Sequence, residues 1–333
     1  MTVSAPDLTV IIPAKNGAQY LGTLFRSLER QFRDGERAQI IFVNDGSTDH
    51  TERVLEDHAG VFDDFTVIRN ERSVGLASGR NMGLREARGE YVVFLDGDDW
   101  LPDGQIRTVL DAARRLDVDF VRCDHTRVEG TKRELRRAPM AIRDRALPPR
   151  AGILPAYDST MVDYPFAWAG IFHRRLLDNA LLYFPEGFMT AEDRSWIWNL
   201  HLHAESFAVV DSPGVCYRRG VSGSLTQILD VRQLDFIRAF EGIFDLVAED
   251  TFADLYWPKA TRNWLAILEH QAKRFASSPA DIRAKFASGA RRASARVPFD
   301  VLREEFRRSR PDRQALVHRY LPQPGLLVKD IVK

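Results

Sequence analysis

Between residues 8 and 124, short runs rich in apolar and β-branched residues alternate with stretches whose apolar positions recur every three or four residues. The runs cover 9–12, 39–44, 65–69, 91–96 and 119–123, and their spacing predicts strands joined by helical crossovers, a mostly parallel α/β sheet. Between the first two, Leu21, Leu24, Phe25 and Leu28 fall at i, i+3, i+4 and i+7, one apolar helix face laid on that sheet. Asp49 with Glu52 gives the next helix a capping-box start, and Gly60 gives it an end.

The pattern then changes. Residues 125–150 are charged, weakly periodic and closed by prolines, which reads as a variable insertion or loop of poor order rather than a strand of the main sheet. Aromatic-rich pieces resume from 161 to 224, with a helix expected over 191–203 and short strands near 207–210 and 215–218. Beyond 230 helical patterns take over, with Pro258, Pro279, Pro298 and Pro311 as expected breaks. The organisation expected is a catalytic domain over 1–228, divided near 124 into two halves, and a helical C-terminal module over 229–333.

Composition narrows the partners. Forty-seven basic residues balance forty-seven acidic ones, so no global field favours nucleic acid. No apolar run reaches the roughly 18 residues of a membrane span, and the first residues lack a basic stretch followed by an apolar core, so a cytoplasmic protein is expected. Two distant cysteines, Cys123 and Cys216, match no zinc or redox spacing. Arginine is concentrated over 283–319, either as solvated helix faces or as a surface for an acidic membrane or an acceptor.

In open parallel sheets ligands bind beyond the carboxyl ends of the strands, so the polar residues after each apolar run carry the candidate chemistry. They read Pro13-Ala14-Lys15-Asn16, then Asn44-Asp45-Gly46-Ser47-Thr48-Asp49, then Asp96-Gly97-Asp98-Asp99. The last offers several carboxylates, an oxygen-only set suited to Mg²⁺ or Mn²⁺, although Asp and Gly are also ordinary turn residues. Asp45 can accept from a base N–H or a ribose hydroxyl, or it can belong to a turn capped by its neighbours. Arg80, in a glycine-rich stretch from Gly75 to Gly83, is either a diphosphate clamp or a surface cation. Trp168, Trp196 and Trp198 read as core, and His125, His173, His201 and His203 lack metal-ligand spacing.

Taken in order, Pro-x-x-Asn, Asp-Gly-Ser, Gly-x-x-x-x-Arg-Asn-x-Gly and Asp-x-Asp-Asp resemble the inverting family-2 glycosyltransferases of the GT-A fold, closely through Asp99 and more loosely to Thr226. The resemblance extends to bacterial enzymes of cell-surface polysaccharide and teichoic acid. It implies a Rossmann-like nucleotide-diphospho-sugar transferase sheet flanked by helices. It also implies that Pro13, Ala14 and Asn16 begin the nucleotide pocket, that Asp45 binds the base, and that Arg80 faces the donor phosphates. Asp96 would contact ribose or donor sugar, Asp98 would be the direct Mn²⁺ or Mg²⁺ ligand, and Asp99 would lie by the sugar or behind the metal ligand.

Asp193, in Thr190-Ala191-Glu192-Asp193, matches the catalytic base, or else completes a capping box with Thr190. Glu192, Arg218, Arg219 and Ser224 are candidates for phosphate or acceptor contacts. Two departures stand out: Lys15 replaces the aromatic residue of many relatives, and the C-terminal helices lie outside the shared pattern.

The implied reaction is displacement at the anomeric carbon of a nucleotide sugar, most often a UDP-sugar, by a hydroxyl of a saccharide, glycopolymer or lipid-linked acceptor. The arginine-rich region admits peripheral contact with the inner face of a membrane. A nicotinamide dehydrogenase would need a Gly-x-Gly-x-x-Gly turn after the first strand, where residues 13–17 stand instead. A non-catalytic nucleotide- or glycan-binding scaffold of the same fold would keep the pocket and need no base.

Overall fold

The computed structural model describes residues 6–32, 37–221 and 229–322. Strands β1 (Leu8–Ala14), β2 (Ala38–Asp45), β3 (Asp64–Asn70), β4 (Tyr91–Phe94) and β5 (Phe120–Cys123) form where the apolar runs lie. They are connected by α1 (Ala18–Glu29), α2 (Thr51–His58), α3 (Leu76–Glu86) and α4 (Gln105–Leu116). Leu21, Leu24, Phe25 and Leu28 of α1 are fully buried, so the predicted face is the one laid on the sheet. Burying each of these side chains is worth roughly 1.5–3 kcal/mol. On α3 the approach is closer: a Cβ at Gly83 would sit 2.4 Å from Cγ2 of Ile11, so only glycine lets that helix lie directly on β1.

Two further strands complete the main sheet, β8 (Gly170–His173) and β9 (Phe207–Val210), giving the order β3-β2-β1-β4-β8-β5-β9. β8 runs antiparallel to both of its neighbours, and the other pairings are parallel. The sheet therefore draws strands from both sides of residue 124. After β8 come a short helix α5 (Arg175–Asp178) and α6 (Glu192–His203). Trp168, Trp196 and Trp198 are all buried, as expected of core residues, and Trp196 stacks on Phe184 at 4.9 Å.

Residues 125–150 depart from expectation. They contain an antiparallel hairpin, β6 (His125–Glu129) and β7 (Lys132–Arg136), which joins β10 (Cys216–Arg218) in a second sheet ordered β10-β6-β7. The segment that follows is pinned by Arg143, which donates to the Asp124 carboxylate and to the carbonyls of Ala138 and Val210. Charge on β7 hid the hairpin, because its side chains face outward and leave no apolar period to read.

Beyond residue 230 the chain is helical: α7 (Asp235–Glu249), α8 (Ala253–Arg274), α9 (Ala280–Ser294), α10 (Phe299–Arg308) and α11 (Pro311–Val317). Pro279, Pro298 and Pro311 stand at helix starts, but Pro258 lies inside α8 and does not break it. The helix continues because its buried face, including Trp257, Ala260, Trp264, Leu265 and Leu268, outweighs one lost hydrogen bond. Many arginines of 283–319 are committed within the chain: Arg292 to Glu241, Arg296 to Asp245, Arg308 to Glu304 and Arg313 to Glu269. No helix among the described residues is long and apolar enough to cross a membrane.

Candidate functional site

β4 delivers the acidic turn. The Leu95 N–H still donates to the Ile11 carbonyl, and the chain then turns, with the Asp99 N–H donating to the Asp96 carbonyl at 3.0 Å. Gly97 packs so tightly on β1 that a Cβ there would lie 2.4 Å from Cβ of Ala14. The Asp98 carboxylate accepts from its own backbone N–H, but burial, then the nearby Asp96 charge, outweigh that bond and push it up to about 6. Asp99 is buried; its Oδ1 accepts the Arg218 N–H at 2.7 Å while Oδ2 has no partner. Burial, then the charges of Asp98 and Asp96, push its carboxyl well above the usual range. Arg218 closes the turn from β10, donating from Nε to the Asp98 carbonyl at 2.8 Å, with its guanidinium 4.6 Å from the Trp100 ring and 5.0 Å from that of Tyr20.

Arg80 was expected to face the donor phosphates. It is instead buried at 2% exposure, donating from Nη2 to Asp96 and from Nη1 to Glu192, each at 2.8 Å. The rings of Phe184 and Phe94 lie 5.1 and 5.9 Å from its guanidinium carbon. One side chain thus ties the turn after β4 to the first residue of α6, which lies 112 positions beyond Arg80 itself.

Asp193 follows Glu192 in the first turn of α6. The capping-box alternative does not form: the cap position is Ala191, no side chain caps the helix, and the Thr190 hydroxyl donates to the Arg232 carbonyl. The Asp193 carboxylate accepts no hydrogen bond from the described residues, and burial and the adjacent Glu192 charge push it up to about 7.

The nucleotide-side residues form a stitched pair of turns. Pro13 and Ala14 end β1, and Asn16 takes a left-handed φ of 55°, which asparagine tolerates better than most residues. Its N–H donates to Ser47 Oγ at 2.9 Å and its Oδ1 accepts the Thr48 N–H at 2.8 Å. The expected Asp49–Glu52 capping box is absent. Asp49 accepts from the Thr51 and Ala18 amides, while Glu52 is drawn to Asn44 and Arg69. Lys15 is exposed.

Asp45, expected to bind the base, accepts four hydrogen bonds, from Asn70 Nδ2, Ser73 Oγ and the amides of Val74 and Gly75, at 2.6–3.0 Å. Burial acts to raise its pKa, but these four bonds outweigh it and hold the carboxyl below its ordinary value. In this structure Asp45 fixes the loop ahead of α3.

Arg219 donates to the Tyr217 hydroxyl at 2.9 Å, and Ser224 lies outside the described residues. Tyr20 and Trp100, whose rings both lie within 5.0 Å of the Arg218 guanidinium, were not singled out from the sequence, although Trp100 directly follows the acidic turn.

Five carboxylates, those of Asp96, Asp98, Asp99, Glu192 and Asp193, are linked here with three cations, Arg80, Arg194 and Arg218. Such an excess calls for positive charge. Among the described residues no three acidic, histidine or cysteine side chains converge as a metal cage. The donor set therefore fits an ion that takes one carboxylate and completes its shell with water and phosphate oxygens, the habit of Mg²⁺ and similar hard ions.

Comparisons with known proteins bear on the family and the fold. EpsJ of Bacillus subtilis (strain 168), an uncharacterized glycosyltransferase, is 29% identical over 226 residues, which make up 67% of this chain and 64% of EpsJ. The chain thus spans somewhat less than two thirds of that relative. TarS of Staphylococcus aureus, a poly(ribitol-phosphate) beta-N-acetylglucosaminyltransferase, is 26% identical over 209 residues, covering 63% of this chain and 35% of TarS. The crystal structure of TarS 1–349 in complex with UDP-GlcNAc superposes with a TM-score of 0.68 at 20% identity, over 89% of this chain and 82% of that one. Mannosyltransferase PcManGT from Pyrobaculum calidifontis, in complex with GDP-Man and Mn²⁺, gives a TM-score of 0.52 at 19% identity, over 99% and 87%. The mostly parallel sheet with one antiparallel strand and flanking helices is the GT-A fold. The profile described as Glycosyl transferase family 2 matches residues 9–202, more than half of the sequence, and the chain belongs to that family.

Proposed function

We propose that this protein moves a sugar, with inversion, from a nucleoside diphosphate sugar to an acceptor hydroxyl, with Asp193 as the catalytic base and Asp98 as the metal ligand. One observation supports the proposal: buried Arg80 holds the Asp96 turn and the Glu192 end of α6 together at 2.8 Å each, and this reading takes Asp98 and Asp193, which lie on those two pieces, as parts of one site. Asp193 suits a base. It has no structural hydrogen bond to lose, and a carboxyl near 7 combines a usable deprotonated fraction with real basicity at neutral pH. A non-catalytic scaffold has no use for such a carboxylate.

In this reading Asp193 accepts the proton of the acceptor hydroxyl as that oxygen bonds to the anomeric carbon and the bond to the diphosphate breaks. Asp98 would hold Mn²⁺ or Mg²⁺, which when bound takes up the negative charge of the departing nucleoside diphosphate. Arg80 is assigned to positioning, because both of its terminal nitrogens are occupied by carboxylates. Pro13, Ala14, Asn16, Asp45, Asp96 and Asp99 are assigned to the donor side, and Arg218, Arg219 and Ser224 to phosphate or acceptor.

UDP-GlcNAc and GDP-Man, the ligands named for TarS and PcManGT, are the first donors to test. The acceptor proposed is a cell-surface glycopolymer or lipid-linked saccharide at the cytoplasmic face of the membrane. Liposome co-sedimentation that does not respond to anionic lipid or salt would remove the membrane part.

The deciding experiment is a nucleotide-sugar panel with and without Mn²⁺, run on wild type and Asp193→Asn. Transfer is expected to need the ion and to fall about 10²- to 10⁴-fold in the variant, with UDP affinity retained. Equal loss of transfer and of UDP binding would count against Asp193.

A further inference from the structure

The helix that carries Asp193 begins under constraint. Ala191, just before α6, has a φ of 61°, a left-handed conformation that crowds its Cβ against the following carbonyl. A non-glycine residue persists there only where its surroundings over-determine it. Part of the restraint comes from α3, where Asn81 exchanges two hydrogen bonds of 2.9 Å with the backbone of Phe184.

The rest comes from the helical region beyond residue 230. Arg238 donates to the Gly187 carbonyl at 2.8 Å, and its guanidinium lies 4.4 Å from the Phe188 ring. Oδ2 of Asp235 accepts the Met189 N–H at 2.7 Å, and the Arg232 carbonyl accepts from the Thr190 hydroxyl at 2.8 Å. Four consecutive residues, 187–190, are therefore held by the start of α7 and the 3-10 turn before it (Val231–Leu234), immediately ahead of the strained Ala191.

We infer that the start of α7 and the turn before it position the catalytic base: Asp235, with Arg232 and Arg238, holds the 187–190 segment so that Ala191 keeps its left-handed turn and Asp193 enters the site. The C-terminal helices, which lie outside the family match, thereby act on the family's chemistry. The inference rests on the assignment of Asp193 as base, and Asp235 is a positioning residue that touches no substrate. Without its carboxylate the Met189 amide loses its acceptor, Ala191 relaxes toward an ordinary conformation, and the first turn of α6 swings Asp193 away from the acceptor oxygen. A misplacement of about 1 Å is enough to cost roughly 10²-fold in rate.

Three variants test this. Asp235→Ala removes the acceptor, Asp235→Asn keeps an amide oxygen for the Met189 N–H, and Ala191→Gly added to Asp235→Ala lets the left-handed turn stand without help. Asp235→Ala is expected to lower kcat roughly 10- to 100-fold with donor KM and UDP affinity little changed. Asp235→Asn should stay near wild type, and the double variant should recover a large part of the loss.

Amide hydrogen exchange over 187–196 should speed up in Asp235→Ala and slow again in the other two, a readout that needs no turnover. Wild-type kcat and exchange in Asp235→Ala would overturn the inference, as would Ala191→Gly failing to recover either one. Full transfer by Asp193→Asn would instead sink the base assignment and leave the exchange result standing.

Discussion

Gly97→Ala probes how rigidly the acidic turn sits on β1. A Cβ at Gly97 would lie 2.4 Å from Cβ of Ala14, 3.4 Å from its Cα and 3.5 Å from the Pro13 carbonyl oxygen. Comfortable carbon contacts lie at about 3.5–4.0 Å, so more than about 1 Å of separation is missing. Ala14 has no rotamer to move, and β1 is paired along its length with β2 and for four residues with β4, so the turn must yield.

Overpacking of this kind costs about 1–3 kcal/mol, and moving Asp98 by about 1 Å is expected to cost up to ~10²-fold in transfer. Ala14→Gly in the same chain removes the offending atom. The double variant should regain most of the rate and stability, less the roughly 0.5–1 kcal/mol that a strand glycine costs. Urea unfolding, initial transfer rates and UDP calorimetry on the wild type, both single variants and the double variant form a closed cycle. Gly97→Ala as stable and active as wild type, or a double variant no better than Gly97→Ala, would show that the turn is not pinned by its contact with Ala14.

Because Asp193 is raised to about 7, kcat/KM should climb about tenfold from pH 6 to pH 8, and a flat profile over that interval would exclude it as the titrating base. The sign for stability is opposite: a carboxyl raised in the folded state favours folding most below its unfolded value near 4, and that contribution is lost as pH rises through about 7. Arg80→Met leaves Asp96 and Glu192 without their shared cation and should cost about 3–5 kcal/mol in urea unfolding, nearer the lower figure because the Asp96 side chain is 21% exposed. A loss below about 1 kcal/mol would mean that the bridge is not structural. Asp45→Ala strips four donors of their acceptor and should cost about 2–4 kcal/mol. In wild type the stabilisation from Asp45 is present above the unfolded value near 4 and is lost as pH falls through the lower folded value, so the variant should show a shallower acid transition.

Strands β1, β2, β4 and β5 could be read from sequence because nearly every position is buried, on both faces, and the runs are therefore mostly apolar, whereas β3, a half-buried edge strand, was legible from its Phe65, Val67 and Ile68. Helix α1 could be read for the complementary reason, a single buried stripe at helical spacing. β8 escaped. It is four residues long, runs against its neighbours and sits within an aromatic-rich stretch where every residue could as well be core. β7 escaped because a solvent-facing edge strand made of Lys132, Arg133, Glu134, Leu135 and Arg136 carries charge where a periodicity argument looks for apolar residues.

At the site, sequence indicated which residue types gather at the strand ends but not how they divide their hydrogen bonds. The partners of Arg80 lie 16 and 112 residues away, so nothing local distinguishes a guanidinium that will face a phosphate from one already held by two carboxylates. Asp45 poses the same problem with the opposite sign: its donors sit 25 to 30 residues downstream, in a loop without apolar pattern. Asp98 and Asp193 differ from both in that no hydrogen bond from another described residue reaches either carboxylate, and both are raised rather than lowered. A folded chain tolerates an unpartnered, partly buried carboxylate only at a cost. Here the two stand close in sequence to Asp96 and Glu192, the carboxylates that buried Arg80 bridges, and on the proposed assignment selection for transfer, rather than for folding, is the economical reason for them to be there.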